Sequence, residues 1–136
     1  MVFFLYFVVL SGEGELSYEG QIYQSINFAV RQINLGYSKK TFTLRGLHFQ
    51  EGEHAQAKLV SCLHSSIFNV SVDLRSGDPF GHVYSAVLSF ENRKQMLIPR
   101  GFDHGYLTLG DDTLMRKRLI CPRIAPLINP CHNRSV

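Results

Sequence analysis

The sequence predicts an all-β domain built as an antiparallel sandwich or barrel, and three observations predict it. Residues 67–74 (IFNVSVDL) alternate with period two, setting Phe68, Val70, Val72 and Leu74 on one sheet face and Ile67, Asn69, Ser71 and Asp73 on the other. Short apolar runs recur between turn signals at strand-like spacing. Long helical periodicity is hard to find anywhere in the chain.

In chain order, residues 2–10 (VFFLYFVVL) come first, a continuous apolar run whose Val, Phe and Tyr content suits a buried or partner-paired strand. The run is too short for a bilayer, which needs roughly 20 residues, and it lacks the basic n-region and A-x-A site of a signal peptide. Residues 11–20, rich in Gly, Ser and Glu, read as a loop. Beyond the strand at 67–74, residues 75–79 (RSGDP) form a turn, 83–88 the next strand and 90–93 (FENR) another connection. Residues 96–98 run into Pro99-Arg100-Gly101, and 106–109 supply one more strand before Gly110-Asp111-Asp112. Pro122, Pro126 and Pro130 exclude a helix interior and a central strand from residues 121–136, which wrap the surface or stay disordered.

A chain of 136 residues accommodates one hydrophobic core, so residues 1–136 are read as a single domain. With 45% hydrophobic and 18% charged residues and no low-complexity tract, the chain should fold. The net charge is only +3, and Arg116, Lys117, Arg118 and Arg123 cluster near one end; a nucleic-acid surface needs a broader basic stripe, so no nucleic-acid partner is expected. No membrane partner is expected either. Cys62, Cys121 and Cys131 are odd in number and form no CxxC pair, which argues against a zinc ribbon and a disulfide framework and makes a cytoplasmic location the default. Two sequons begin at Asn69 and Asn133.

The densest set of reactive side chains is LRGLHFQ (44–50), followed by Lys58 and then by IPRGFDHG (98–105). If these segments are strands facing one interior, Arg45, His48, Lys58 and His104 converge. That mixture of bases and cations suits proton abstraction beside a carbonyl, with a neutral imidazole taking the proton and positive donors stabilising the enolate oxygen. Spacing alone leaves Arg45 and Lys58 equally readable as surface cations. His54, His64, His82 and His132 read as structural or exposed histidines.

Three segments, SKKTFTLRGLHFQ (38–50), QAKLVSCLHSSIFNVSVDLRSGDP (56–79) and LSFENRKQMLIPRGFDHGYLTL (88–109), together resemble the dTDP-4-dehydrorhamnose 3,5-epimerase family. The likeness covers roughly residues 32–112, and its order and spacing are far more specific than any single short motif. The resemblance implies a cupin-like jelly-roll β-barrel, a homodimer, and an isomerase that works without metal or other cofactor. It implies a dTDP-4-keto-6-deoxy sugar substrate, epimerised at the carbons flanking the ketone on the way to dTDP-L-rhamnose. It also assigns roles: His48 as general base, Arg45, Lys58 and His104 as pocket residues, and Gln32 and Asn34 of QIN as substrate contacts.

The sequence departs from the family pattern in several places. Lys117 stands where the family carries a Tyr general acid, and a Lys there needs its pKa lowered by burial or by Arg116 and Arg118 to act as an acid. Asn69 replaces a common Asp. Asp103 replaces a small residue beside His104, where a carboxylate is expected to raise the imidazole pKa. The N-terminal R-G-x-F-x-E segment and a C-terminal Asp that orients the base are absent, so a binding-only relative is the alternative reading. Pro99-x-Gly101-x-x-His104 also resembles a cupin metal motif, but Phe49-Gln50 follow His48 in place of a second His ligand, leaving only Glu53 or His54 as substitutes.

Overall fold

The computed structural model describes residues 28–52, 55–78 and 80–122. The apolar run at 2–10, the loop at 11–20 and the proline-rich residues 123–136 lie outside them. Eight strands follow in order: β1 (Phe28–Ser38), β2 (Leu44–His48), β3 (Ala57–His64), β4 (Ser66–Asp73), β5 (Val83–Ser89), β6 (Gln95–Ile98), β7 (Phe102–Thr108) and β8 (Thr113–Pro122). They form two antiparallel four-stranded sheets, ordered β1-β8-β3-β6 and β2-β7-β4-β5. The chain changes sheet at every connection except the β4–β5 hairpin, the winding of a jelly roll.

The expected strands at 67–74, 83–88 and 96–98 are present, each shifted by one residue or less at its ends. The strand expected at 106–109 begins earlier, at Phe102, because Gly101 in a left-handed conformation turns the chain directly into β7. The prolines bar less than expected, since β8 continues to Pro122. There Pro122 pairs with Phe28, beyond the last β3 partner at Ile120, so no ladder hydrogen bond to β3 is forfeited.

The sheets meet over a core of Val60, Cys62, Met96, Ile98 and Met115 from one and Ile67, Leu88, Phe102 and Tyr106 from the other. The inner face of β4 is the more polar one. Ile67, Asn69, Ser71 and Asp73 are buried, whereas Phe68, Val70 and Val72 face outward and are only partly covered. Across the β4–β7 ladder these residues oppose Thr108, Tyr106, His104 and Phe102. A buried polar row of this kind is costly unless each group finds a partner.

Candidate active site

Register decides which side chains enter the interior. On β2, Arg45 opposes Tyr106 and His48 opposes His104, so both follow the inward rows of β7. Two glycines make this approach possible: a Cβ at Gly46, whose φ is +104°, would lie 2.7 Å from Gly105 Cα, and one at Gly105 would lie 2.9 Å from the Arg45 carbonyl oxygen. In the facing sheet, Asn34 opposes Lys117 and Gln32 opposes Leu119, while Lys58 lies on the inward row that includes Val60 and Cys62. All seven side chains singled out in the sequence therefore lie on inward rows.

Asn34, Arg45, His48 and Lys117 line one cleft of about 420 Å³, together with Gly36, Tyr37, Tyr106 and Met115. That volume is in the range of small-molecule sites. Gln32 supports the wall by donating from Nε2 to Asn34 Oδ1 at 2.8 Å. Lys58 and His104 lie deeper and are buried. Neither Arg45 nor Lys58 is an idle surface cation: the first is exposed but borders the cleft, and the second is interior.

Burial shapes the electrostatics. It lowers the Lys58 pKa to about 8, assisted by the neighbouring Lys117 charge and opposed by Asp103. Lys117 is also lowered by burial, without the help expected from Arg116 and Arg118, which alternate onto the opposite face of β8. His104 is pushed down to about 3, first by burial and then by the charges of Lys58, Lys117 and His48. The expected upward push from Asp103 is not found. That residue points to the other side of β7, and its Oδ1 accepts the His104 backbone N–H at 2.9 Å.

Sequence reasoning missed Tyr106, a 7% exposed phenol in the cleft, because an aromatic in an alternating strand reads as core. It noticed Asn69 only as a departure, although Asn69 Oδ1 lies 2.8 Å from His104 Nε2. Asn69 has no exposed surface, so its sequon sits in the folded interior. His64 is structural, its Nδ1 2.8 Å from the Asp112 carbonyl oxygen. Among the described residues no group of three His, Cys, Asp or Glu side chains is placed to hold a metal. Glu53 and His54 lie outside that set.

Comparison with known proteins gives a consistent result. A family described as dTDP-4-dehydrorhamnose 3,5-epimerase matches residues 12–119. The chain is 43% identical over 104 residues to the Escherichia coli K12 enzyme of that name, covering 68% of this chain and 56% of the relative. It is 46% identical over 96 residues to the Salmonella typhimurium enzyme, covering 70% and 51%. The chain thus spans about half the length of these curated relatives. Among solved structures, the Bacillus anthracis epimerase with TDP and pyrophosphate bound superposes with a TM-score of 0.70 at 34% identity, over 74% of this chain and 58% of that one. The Legionella pneumophila enzyme in complex with dTDP-4-keto-L-rhamnose gives 0.67 at 34% identity, over 79% and 56%.

Proposed function

The chain belongs to the dTDP-4-dehydrorhamnose 3,5-epimerase family, and from that premise we propose that it epimerises dTDP-4-dehydro-6-deoxy-D-glucose to dTDP-4-dehydro-L-rhamnose, in the cytoplasm. The observation that carries this reading is the meeting of His48 and Arg45 from one sheet with Asn34 and Lys117 from the other in a single cleft, backed by buried Lys58.

His48 is the base that removes the proton from a carbon beside the ketone, and the electron pair moves onto the ketone oxygen as an enolate. The Lys58 ammonium stabilises that oxygen from the interior, where low dielectric strengthens the interaction. Lys117, on the facing wall, returns a proton to the opposite face of the same carbon, which inverts it. Arg45 is suited to the diphosphate, since a guanidinium pairs with phosphate through two parallel hydrogen bonds. Gln32 and Asn34 form a joined polar wall for the rest of the nucleotide sugar. His104 completes the interior as a neutral group.

A homodimer is part of the same proposal. It is supported by the apolar side chains Ile33, Leu35 and Tyr37, exposed on the edge strand β1, and Leu44 and Leu47 on the edge strand β2.

The test is solvent deuterium incorporation at the carbons beside the ketone of dTDP-4-keto-6-deoxyglucose, with wild type and His48→Ala compared. Exchange is expected in wild type and should fall by about 10²–10⁴ in the variant, the usual weight of a general base. A folded wild-type protein that binds the nucleotide sugar without exchange would mark a binding-only relative, the reading that Lys117 in a Tyr position favours.

A further inference from the structure

Asn69 has no exposed surface, and both ends of its side-chain amide are engaged. Nδ2 donates to Met96 Sδ at 2.9 Å, and Oδ1 lies 2.8 Å from His104 Nε2. A thioether sulfur carries no hydrogen and can only accept. Turning the amide over would set its oxygen against that sulfur, two acceptors facing each other in a dry interior, so Met96 determines which way the amide points. The amide in turn determines the imidazole. With an oxygen facing it, Nε2 must carry the hydrogen, and Nδ1 is left with its lone pair.

We infer that Asn69 is a positioning residue that holds His104 as the neutral Nε2–H tautomer, anchored from behind by Met96. The charged and titratable groups around His104 agree with this assignment. Lys58 on β3, Lys117 on β8 and His48 on β2 all oppose a second proton on the ring, and burial opposes it most. Asp103, the adjacent carboxylate on β7, spends an oxygen on the His104 backbone N–H. An Asp at position 69 would accept the same ring hydrogen but would also add a negative charge that favours the imidazolium. With Asn, His104 stays neutral with a lone pair on Nδ1, and the cationic role falls to Lys58. That functional consequence rests on the epimerase reading, whereas the tautomer does not.

The experiment is long-range ¹H–¹⁵N NMR of the full chain labelled at histidine nitrogens, with His104 assigned by its loss in His104→Gln. Wild type is expected to show a protonated Nε2 and a bare Nδ1 between pH 8 and pH 5. Asn69→Asp should raise the protonation midpoint of His104 by about 1–3 pH units, and Asn69→Ala should lose the single-tautomer signature. An Nδ1–H tautomer or an imidazolium in wild type at pH 6 overturns the inference, as does a folded Asn69→Ala whose His104 signals match wild type. If the variants do not fold, the wild-type spectrum decides alone. Failure of the epimerase reading appears separately, as absent deuterium exchange with the Nε2–H signature intact.

Discussion

His48 and His104 stand opposite each other on β2 and β7, the first exposed at the cleft and the second only 4% exposed behind it. The same residue type thus occupies two environments a strand apart. The exposed ring is free to meet a substrate, while the buried one keeps its neutral form because burial and three nearby charges oppose protonation.

That difference predicts acid sensitivity. His104 binds a proton near 6.5 when unfolded but only near 3 when folded, so between those values the unfolded chain holds more protons. Stability fully present above pH 6.5 is lost as the pH falls, at up to about 1.4 kcal/mol per unit. Urea unfolding of wild type and His104→Gln at pH 7.5, 6 and 5 checks it, the variant being expected to show the shallower dependence. Equal slopes would assign the acid sensitivity to another group.

Lys58 sets an alkaline boundary. Its folded pKa of about 8 is below the ordinary 10.5, so the folded chain gives up this cation first as the pH rises. If the ammonium stabilises the enolate, kcat/KM should fall about tenfold per unit above pH 8. Lys58→Arg keeps a charge through that range and should lack the limb even if its absolute rate is lower. Lys117→Met should move the limb upward, because the Lys117 charge helps to lower Lys58. A limb unchanged in both variants would exclude Lys58 as its source.

The strand pattern and the site residues were legible in the sequence for different reasons. Period-two alternation in residues 67–74 identified β4 because strand geometry imposes it whatever the chemistry. It did not reveal which face was inward, since apolar side chains ordinarily go inside and here Asn69, Ser71 and Asp73 do. The fate of Asp103 was likewise hidden, because adjacency in sequence suggests proximity to His104 while the strand pleat sends the two side chains to opposite faces. Arg45, His48, Lys58 and His104 stand out as the densest reactive set, whereas Gln32, Asn34 and Lys117 come from motif resemblance; the convergence of all seven depends on register between β1 and β8 and between β2 and β7, which short-range pattern cannot specify.

Gly46 is predicted to be a positioning site for His48. Its φ of +104° disfavours any side chain, and an added Cβ would meet Gly105 Cα and the His104 carbonyl oxygen at 2.7 Å. Gly46→Ala should push β2 away from β7 and displace His48, lowering kcat/KM by about 10²-fold, the cost of roughly 1 Å of misplacement. Because β2 is an edge strand, the rest of the fold should survive, as read by circular dichroism and thermal melting. A folded variant with wild-type kinetics would show that the close approach is dispensable.

At the end of β4, Arg75 Nε and Nη2 donate to the Asp73 carboxylate, which has no exposed surface, and the guanidinium lies 4.8 Å over the Phe102 ring. These hydrogen bonds hold the Asp73 pKa below its ordinary value. Arg75→Ala would leave the buried carboxylate the residue 75 backbone N–H but remove both guanidinium donors and their charge, and the expected loss is about 2–3 kcal/mol in denaturant unfolding at neutral pH. Removing the carboxylate as well, with Asp73→Asn, should recover part of that loss. A double variant as unstable as the sum of the two single changes would mean that the pair is not coupled.

Lys117 offers the sharpest division of the proposed mechanism. Inversion needs a donor on the wall opposite the base, and Lys117 comes from the sheet facing His48. Lys117→Met leaves proton removal to His48 but deprives the enolate of a proton from the far side, so the carbon is reprotonated mostly from the face it lost. The variant should therefore incorporate solvent deuterium while forming little epimer, with the ratio of inversion to exchange down by about 10²-fold. Simultaneous measurement of deuterium content and product configuration on one substrate sample gives that ratio directly. If inversion keeps pace with exchange, Lys117 is not the donor, and the phenol of Tyr106, buried in the same cleft, becomes the group to replace by Phe.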